Sequence, residues 1–225
     1  MEEKLEKLKN IVEKELSCSA HDLEHSKRVY NSCLKLSENE PVDLNILKAA
    51  ALLHDIARVE EDNDHTGNID HAVLGAQKAE TILKELNFSE QEIKKIKHCI
   101  LSHRFRGDNQ KPETKEAQIL FDADKLDSCG ALSIARGFIW VGRNNAKIYT
   151  DKTSLEAYIK DNLGGETTGK IKDKTKHSVQ IEHETKIKHL EDKFYTQKAK
   201  QIYKERMVFC EMFLERLEKE IKGEA

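Results

Sequence analysis

LKAAALLHDIAR, residues 47–58, is the stretch whose reading decides the fold. Leu47, Ala50, Ala51, Leu52, Leu53 and Ile56 recur at helical spacing, which predicts a helix apolar around most of its circumference and therefore buried. His54 and Asp55 interrupt it. An imidazole beside a carboxylate is costly to bury unless a partner compensates, and a bound cation is such a partner. The dipeptide alone carries little, since roughly one His-Asp pair is expected by chance in a chain of this make-up. A second pair, His21–Asp22, sits among polar residues, so the apolar context of His54–Asp55 carries the signal.

Outward from this helix the same period repeats. Leu5, Leu8, Ile11, Val12 and Leu16 mark an amphipathic helix over residues 2–16, and His25, Val29, Leu34 and Leu36 fall in another over about 22–37. Pro41 and Asp43 turn the chain into the central helix, with Asp43 as its N-cap. After Arg58 the polar run VEEDNDHTGN reads as a loop. Helices follow over about 69–86, from the Ser89/Glu92 capping box to about Ser102, and from Thr114 to Val141. Within the last of these, Gly130 and Gly137 mark close packing or a break. Segment 142–176 is turn-rich and reads as a flexible polar stretch. Helices over about 178–193 and 196–222 close the chain, with Thr196 as the N-cap of the second, a packing or dimer element.

No stretch alternates with period two, so the expected fold class is all-α. The expected organisation is one domain over 1–225, with its core at about 20–141 and C-terminal helices at 178–222. His65, His177, His183 and His189 fall in polar stretches and are expected at the surface.

With 225 residues, 35% of them charged and only two prolines, long solvated helices are expected. A formal charge of −3 gives no general case for binding a nucleic-acid polymer. The N-terminal MEEKLEKLKN has neither the apolar run of a signal peptide nor a spanning length. Five cysteines without a CxxC pair fit reduced thiols, and the expected location is the cytoplasm.

His25, His54–Asp55 and Asp124 stand on three separate predicted helices, each beside apolar residues. Cations that activate water take nitrogen and carboxylate ligands with one position left open, and helix packing can bring such ligands together. HSKRV at 25–29, AALLHDIAR at 50–58 and DADKLDSCGA at 122–131 resemble the HD-domain metal-dependent phosphohydrolases. HAVLGA at 71–76, SHRFRG at 102–107 and YTQKAKQIYKER at 195–206 extend the resemblance over most of the chain. They point to a bacterial and archaeal group that includes a nucleotide pyrophosphohydrolase.

The resemblance implies an HD-domain helical bundle with additional C-terminal helices. Its implied ligands are His25, His54, Asp55 and Asp124, Asp124 rather than Asp122 by its place in ADKLD. They would hold one divalent transition metal (Mn, Co, Ni, Fe or Zn), with Mg as an alternative. The implied reaction is metal-assisted attack of water on phosphorus, cleaving a nucleoside triphosphate to monophosphate and pyrophosphate. Lys125, Arg58, Arg104 and Arg106 are the cations placed near the phosphates, and Asp127 a further substrate contact. Glu61 is a candidate general base, set against a plain solvated acidic loop at 60–62.

His71 and His103 lie where two-metal members carry extra ligands, but SHRF has a single His where phosphodiesterases of that kind show a pair. One tight metal is therefore expected, with His71 and His103 on phosphate or on a second, weaker metal. His98 is read as structural. Arg58 stands where hydrolases of alarmones and of nucleoside monophosphates carry an acid, which counts against those substrates. The alternatives are a phosphomonoesterase or phosphodiesterase, a di-iron HD-type oxygenase, and a non-catalytic binding protein, against which the full ligand set argues. A homodimer is left open.

Overall fold

The computed structural model describes residues 1–16, 23–104, 110–167 and 169–224, and no strand occurs among them. The chain forms two compact units, Met1–Asp124 and Lys125–Ala225. The first contains α1 (Glu2–Leu16), α2 (Leu23–Leu36), α3 (Leu44–Leu53), α4 (Arg58–Asn63), α5 (His71–Glu85) and α6 (Glu90–Ser102). Helix α7 (Lys115–Leu126) runs across the division between the units.

Helix α3 is the axis of the first unit, packed against α1, α2 and α6, while α5 lies along α6 and α4. Ile46, Leu47, Ala49, Ala50, Ala51, Leu52 and Leu53 are all buried. From Ile46 onward all its side chains but Lys48 are small or aliphatic, so three neighbours approach it, and each buried Leu or Ile contributes about 1.5–3 kcal/mol. Asp43 caps it, its Oδ1 accepting from the backbone N–H of Asn45 at 3.0 Å and Ile46 at 3.3 Å. Ser89 and Glu92 form the expected capping box on α6.

The central helix ends earlier than its apolar pattern. After Leu53 the backbone tightens into turns, with Ile56 N–H bonded to the Leu53 carbonyl and Arg58 N–H to the Asp55 carbonyl. Ile56 and Ala57 remain buried in those turns, which is why the sequence reads as one unbroken helix. The expected loop after Arg58 begins instead with α4, a helix of six residues.

The second unit contains α8 (Ala131–Arg143), α9 (Leu155–Asn162), α10 (Val179–Thr185) and α11 (Gln197–Lys222). The single helix expected from Thr114 to Val141 is broken at Gly130, whose φ of 86° favours glycine. A Cβ there would also meet the Arg206 side chain at 3.0 Å. Gly137 allows close packing, since a Cβ would lie 3.0 Å from Val179 Cγ2. One apolar cluster gathers Val141, Val179 and Leu214 with Phe138, Trp140 and Phe213; another gathers Tyr158, Leu163 and Ile181 with Leu155, Ile159 and Ile171. The polar segment 142–176 thus carries a helix, α9, whose Leu155, Tyr158 and Ile159 share one face amid charged residues.

His177 and His183, expected at the surface, are buried. His177 Nδ1 lies 2.8 Å from the Tyr158 hydroxyl and Nε2 3.1 Å from Glu182 Oε2. Burial raises the Glu182 pKa, but the His177 bond and the Lys186 charge outweigh it and leave it at about 2. Polar neighbours in sequence hid a buried network that only the fold assembles. No helix among the described residues is long and apolar enough to cross a membrane.

Candidate metal centre

The turn that ends α3 presents His54 and Asp55, and four further elements of the first unit surround it. His25 comes from α2, His71 from the first position of α5, His103 from the C-cap of α6 and Asp124 from α7. His25, His54, His71 and His103 are buried, and His54 is wholly inaccessible.

Asp55 is the hub. Its Oδ2 lies 3.6 Å from His25 Nε2 and 3.8 Å from His54 Nε2. Its Oδ1 lies 3.3 Å from His71 Nε2 and 3.5 Å from His103 Nε2. Asp124 Oδ1 joins the first side, 3.3 Å from His25 Nε2. Two groups of ligand atoms result, each within 4.8 Å: His25, His54 and Asp55, and Asp55, His71 and His103. One carboxylate therefore serves both, an oxygen to each.

Three of the imidazoles have their outer nitrogen committed. His54 Nδ1 donates to the Ala51 carbonyl at 2.8 Å and His103 Nδ1 to the Ile100 carbonyl at 2.5 Å. His71 Nδ1 donates to Glu61 Oε2 at 2.6 Å, the shorter of its two contacts, Arg58 Nη1 lying 3.2 Å from the same nitrogen. Each such bond fixes the tautomer that leaves Nε2 a lone pair directed inward.

Those inward nitrogens approach one another, His25 and His54 at 3.3 Å and His71 and His103 at 3.2 Å. For His54, His71 and His103, whose Nδ1–H is already committed, a further proton on Nε2 would require a charged ring. Burial opposes that, pushing the His54 pKa to about 4 against the pull of Asp55, and lowering that of His71 also. Asp55 stays ionised: burial raises its pKa, but His54, His103 and His25 outweigh it and hold it well below the usual carboxylate value. Inward lone pairs around a buried anion form a donor set that a divalent cation fits.

The acidic run after Arg58 is not a solvated loop. Glu61 is mostly buried, with Oε1 2.7 Å from Arg104 Nη2 and Oε2 accepting from His71 and from Arg58 Nη1, the latter at 3.0 Å. Arg104 also pairs with Asp70. Arg58 and Arg104, expected on phosphate, are thus engaged by carboxylates. Arg106 lies outside the described residues. Lys125 and Asp127 belong to the second unit, where Asp127 Oδ2 lies 2.5 Å from Arg136 Nη1. His98 is structural, its Nδ1 3.0 Å from Gln110 Nε2 and its Nε2 accepting from the Glu113 N–H at 3.0 Å.

Asp70 escaped the sequence reading. Its place before α5 could have marked it as an N-cap, which it is, but its bond to Arg104 depends on packing.

Comparison with known proteins places this geometry. Residues 22–129 match the HD domain family. Bacillus subtilis YpgQ is 28% identical over 91% of this chain and 86% of its own. The crystal structure of an HD-superfamily hydrolase from Bacillus thuringiensis is 29% identical, with a TM-score of 0.72 and 98% of each chain covered. The structure of YpgQ in complex with ADP, 24% identical in the structural alignment with a TM-score of 0.72, covers 98% of this chain and 96% of its own and shares the fold.

Proposed function

We propose, from the premise that residues 22–129 form an HD domain and that the chain is a metal-dependent phosphohydrolase of that superfamily, that its substrate is a nucleoside triphosphate. Water replaces pyrophosphate at the α-phosphorus, breaking the α–β anhydride and leaving the nucleoside monophosphate. The observation that carries the metal-dependent reaction is the pair of ligand groups sharing Asp55. The choice of a nucleotide is supported by the relative YpgQ, which binds ADP in its crystal structure.

His25, His54, Asp55 and Asp124 are the residues that would hold the cation. Such a cation lowers the pKa of a coordinated water and draws charge from phosphoryl oxygens. The backbone bond of His54 and its burial keep that imidazole neutral and oriented without reorganisation.

The second group favours a second cation. Asp55 Oδ1, His71 and His103 repeat the arrangement of the first side, with outer nitrogens committed and inner ones converging. We read His71 and His103 as ligands of that cation in preference to phosphate contacts, since a neutral Nε2 lone pair repels a phosphate oxygen.

Turnover of a nucleotide panel by metal-stripped protein, with Mn, Co, Ni or Mg restored singly, tests the reading. Monophosphate and pyrophosphate formed only with added metal are expected. Orthophosphate alone would move the reaction to a phosphatase, and dioxygen consumption by an iron-loaded protein without phosphate release would move it to oxygen chemistry. No product from any nucleotide with any metal would refute the substrate class.

A further inference from the structure

We infer that Glu61 is a positioning residue, held by Arg58 and Arg104, that fixes His71 in the tautomer with a free inward Nε2 and so builds the second half of the site. The inference rests on the two-cation reading above for its metal consequence, but not for its geometry.

The three imidazoles with assigned outer bonds differ in one respect. His54 and His103 lean on backbone carbonyls, which no side-chain change removes. His71 leans on a side chain ten residues away in sequence. That side chain belongs to a closed circuit. Asp70 Oδ1 accepts from the N–H groups of Ala72 and Val73, capping the helix that His71 begins. Its Oδ2 pairs with Arg104, the residue after His103. Arg104 reaches on to Glu61 Oε1, and Glu61 Oε2 returns to His71 Nδ1. The circuit ties the backbone at His71 and the backbone at His103 to one carboxylate, and His71 and His103 are the two imidazoles of the second group.

The same contacts remove Glu61 from the part of general base. Oε1 accepts from Arg104, and Oε2 accepts from both Arg58 and His71. Both oxygens are thus taken up by donors of the protein itself. Its action on any reaction runs through His71.

Long-range proton–nitrogen correlations of the imidazole rings, recorded on metal-free protein near neutral pH, test the assignment directly. The expected wild-type spectrum shows His71 protonated at Nδ1 and bare at Nε2. Glu61→Ala is expected to lose that preference while the tautomers of His54 and His103 stay as they were. Glu61→Gln is expected to keep it, because the amide oxygen turned to Arg58 and His71 accepts from both, at the cost of setting the amide NH2 against the Arg104 donors. Should Glu61→Ala not fold, Glu61→Asp decides: it keeps the charge among the arginines but withdraws the oxygen by a methylene, and it is expected to lose the preference. An unchanged His71 tautomer in Glu61→Ala, or in Glu61→Asp if that variant stands in, overturns the inference.

Titration with Mn reads the consequence. Two classes of site are expected in the wild type, the weaker one loosened about 10- to 100-fold in Glu61→Ala with the tighter one unmoved. Equal loosening of both classes, or of neither, would refute a role specific to the second half. A single class in the wild type would refute the two-cation reading, and the ring spectra would still decide whether Glu61 fixes His71.

Discussion

Acid should destabilise the metal-free protein through His54, by an amount the structure sets. The ring is wholly buried and donates Nδ1–H to the Ala51 carbonyl. Burial pushes its pKa to about 4, the opposing charge of Asp55 notwithstanding, against about 6.5 in an unfolded chain. Between those values the unfolded chain binds the proton more readily than the folded one, so lowering the pH drives unfolding. The stabilisation is whole above about pH 6.5 and is lost as the pH falls to about 4. At about 1.4 kcal/mol per pH unit the loss is about 3 kcal/mol. His71, also lowered by burial, acts in the same direction, whereas Asp55, held ionised far into acid, gives way only below this window. Urea unfolding followed by circular dichroism, in chelator and across this pH range, would compare the wild type with His54→Asn. The variant should be less stable at neutral pH and should lose about 3 kcal/mol less on acidification. Equal pH slopes in the two proteins would refute the assignment of the loss to His54.

Other substitutions read other parts of the same structure. Asp55→Ala removes an oxygen from each ligand group and should leave the protein folded yet empty of metal, by elemental analysis after gel filtration, with phosphohydrolase activity gone; a variant retaining metal and activity would sink the shared-carboxylate reading. Gln180 is 3% exposed and neither polar atom of its amide has a partner, so Gln180→Met should stabilise by about 1–3 kcal/mol and raise Tm by about 2–4 °C per kcal/mol. A lower Tm would mean that the amide does make a bond in solution. Burial pushes the thiols of Cys99 and Cys129 up to about 12 and raises those of Cys33 and Cys210, so all four should resist a thiol reagent until the chain is unfolded. Their rapid labelling in the native protein would contradict the packing described for them.

The legibility of the site in the sequence follows the range of the forces involved. Caps are local, and Asp43, Ser89 with Glu92, and Thr196 all cap as their side-chain chemistry dictates. Gly130 was readable as a break or a close contact, and the structure makes it both: its φ of 86° breaks the helix, and a Cβ would meet the Arg206 side chain. Glu61 was legible as an acid near the His-Asp pair and nothing more. Its three partners come from one turn before it, ten residues after it and the far end of α6, so no window of sequence contains them. The burial of His177 and His183 was hidden for the opposite reason: their sequence neighbours are polar, but their spatial neighbours include Trp140 and Tyr158 in the case of His177.

By itself the sequence determined an all-α chain, a buried central helix and the residue types of a cation site, because helical periodicity and capping act over a few residues. Tertiary structure decided what those residues form together. It brought His71 and His103 to the opposite oxygen of Asp55 from His25 and His54, and it set Arg58 and Arg104, the two arginines expected on phosphate, against Glu61. Such convergence is set by which helix faces pack, and the energy that brings them together belongs to the aliphatic core around α3, not to the polar residues it positions.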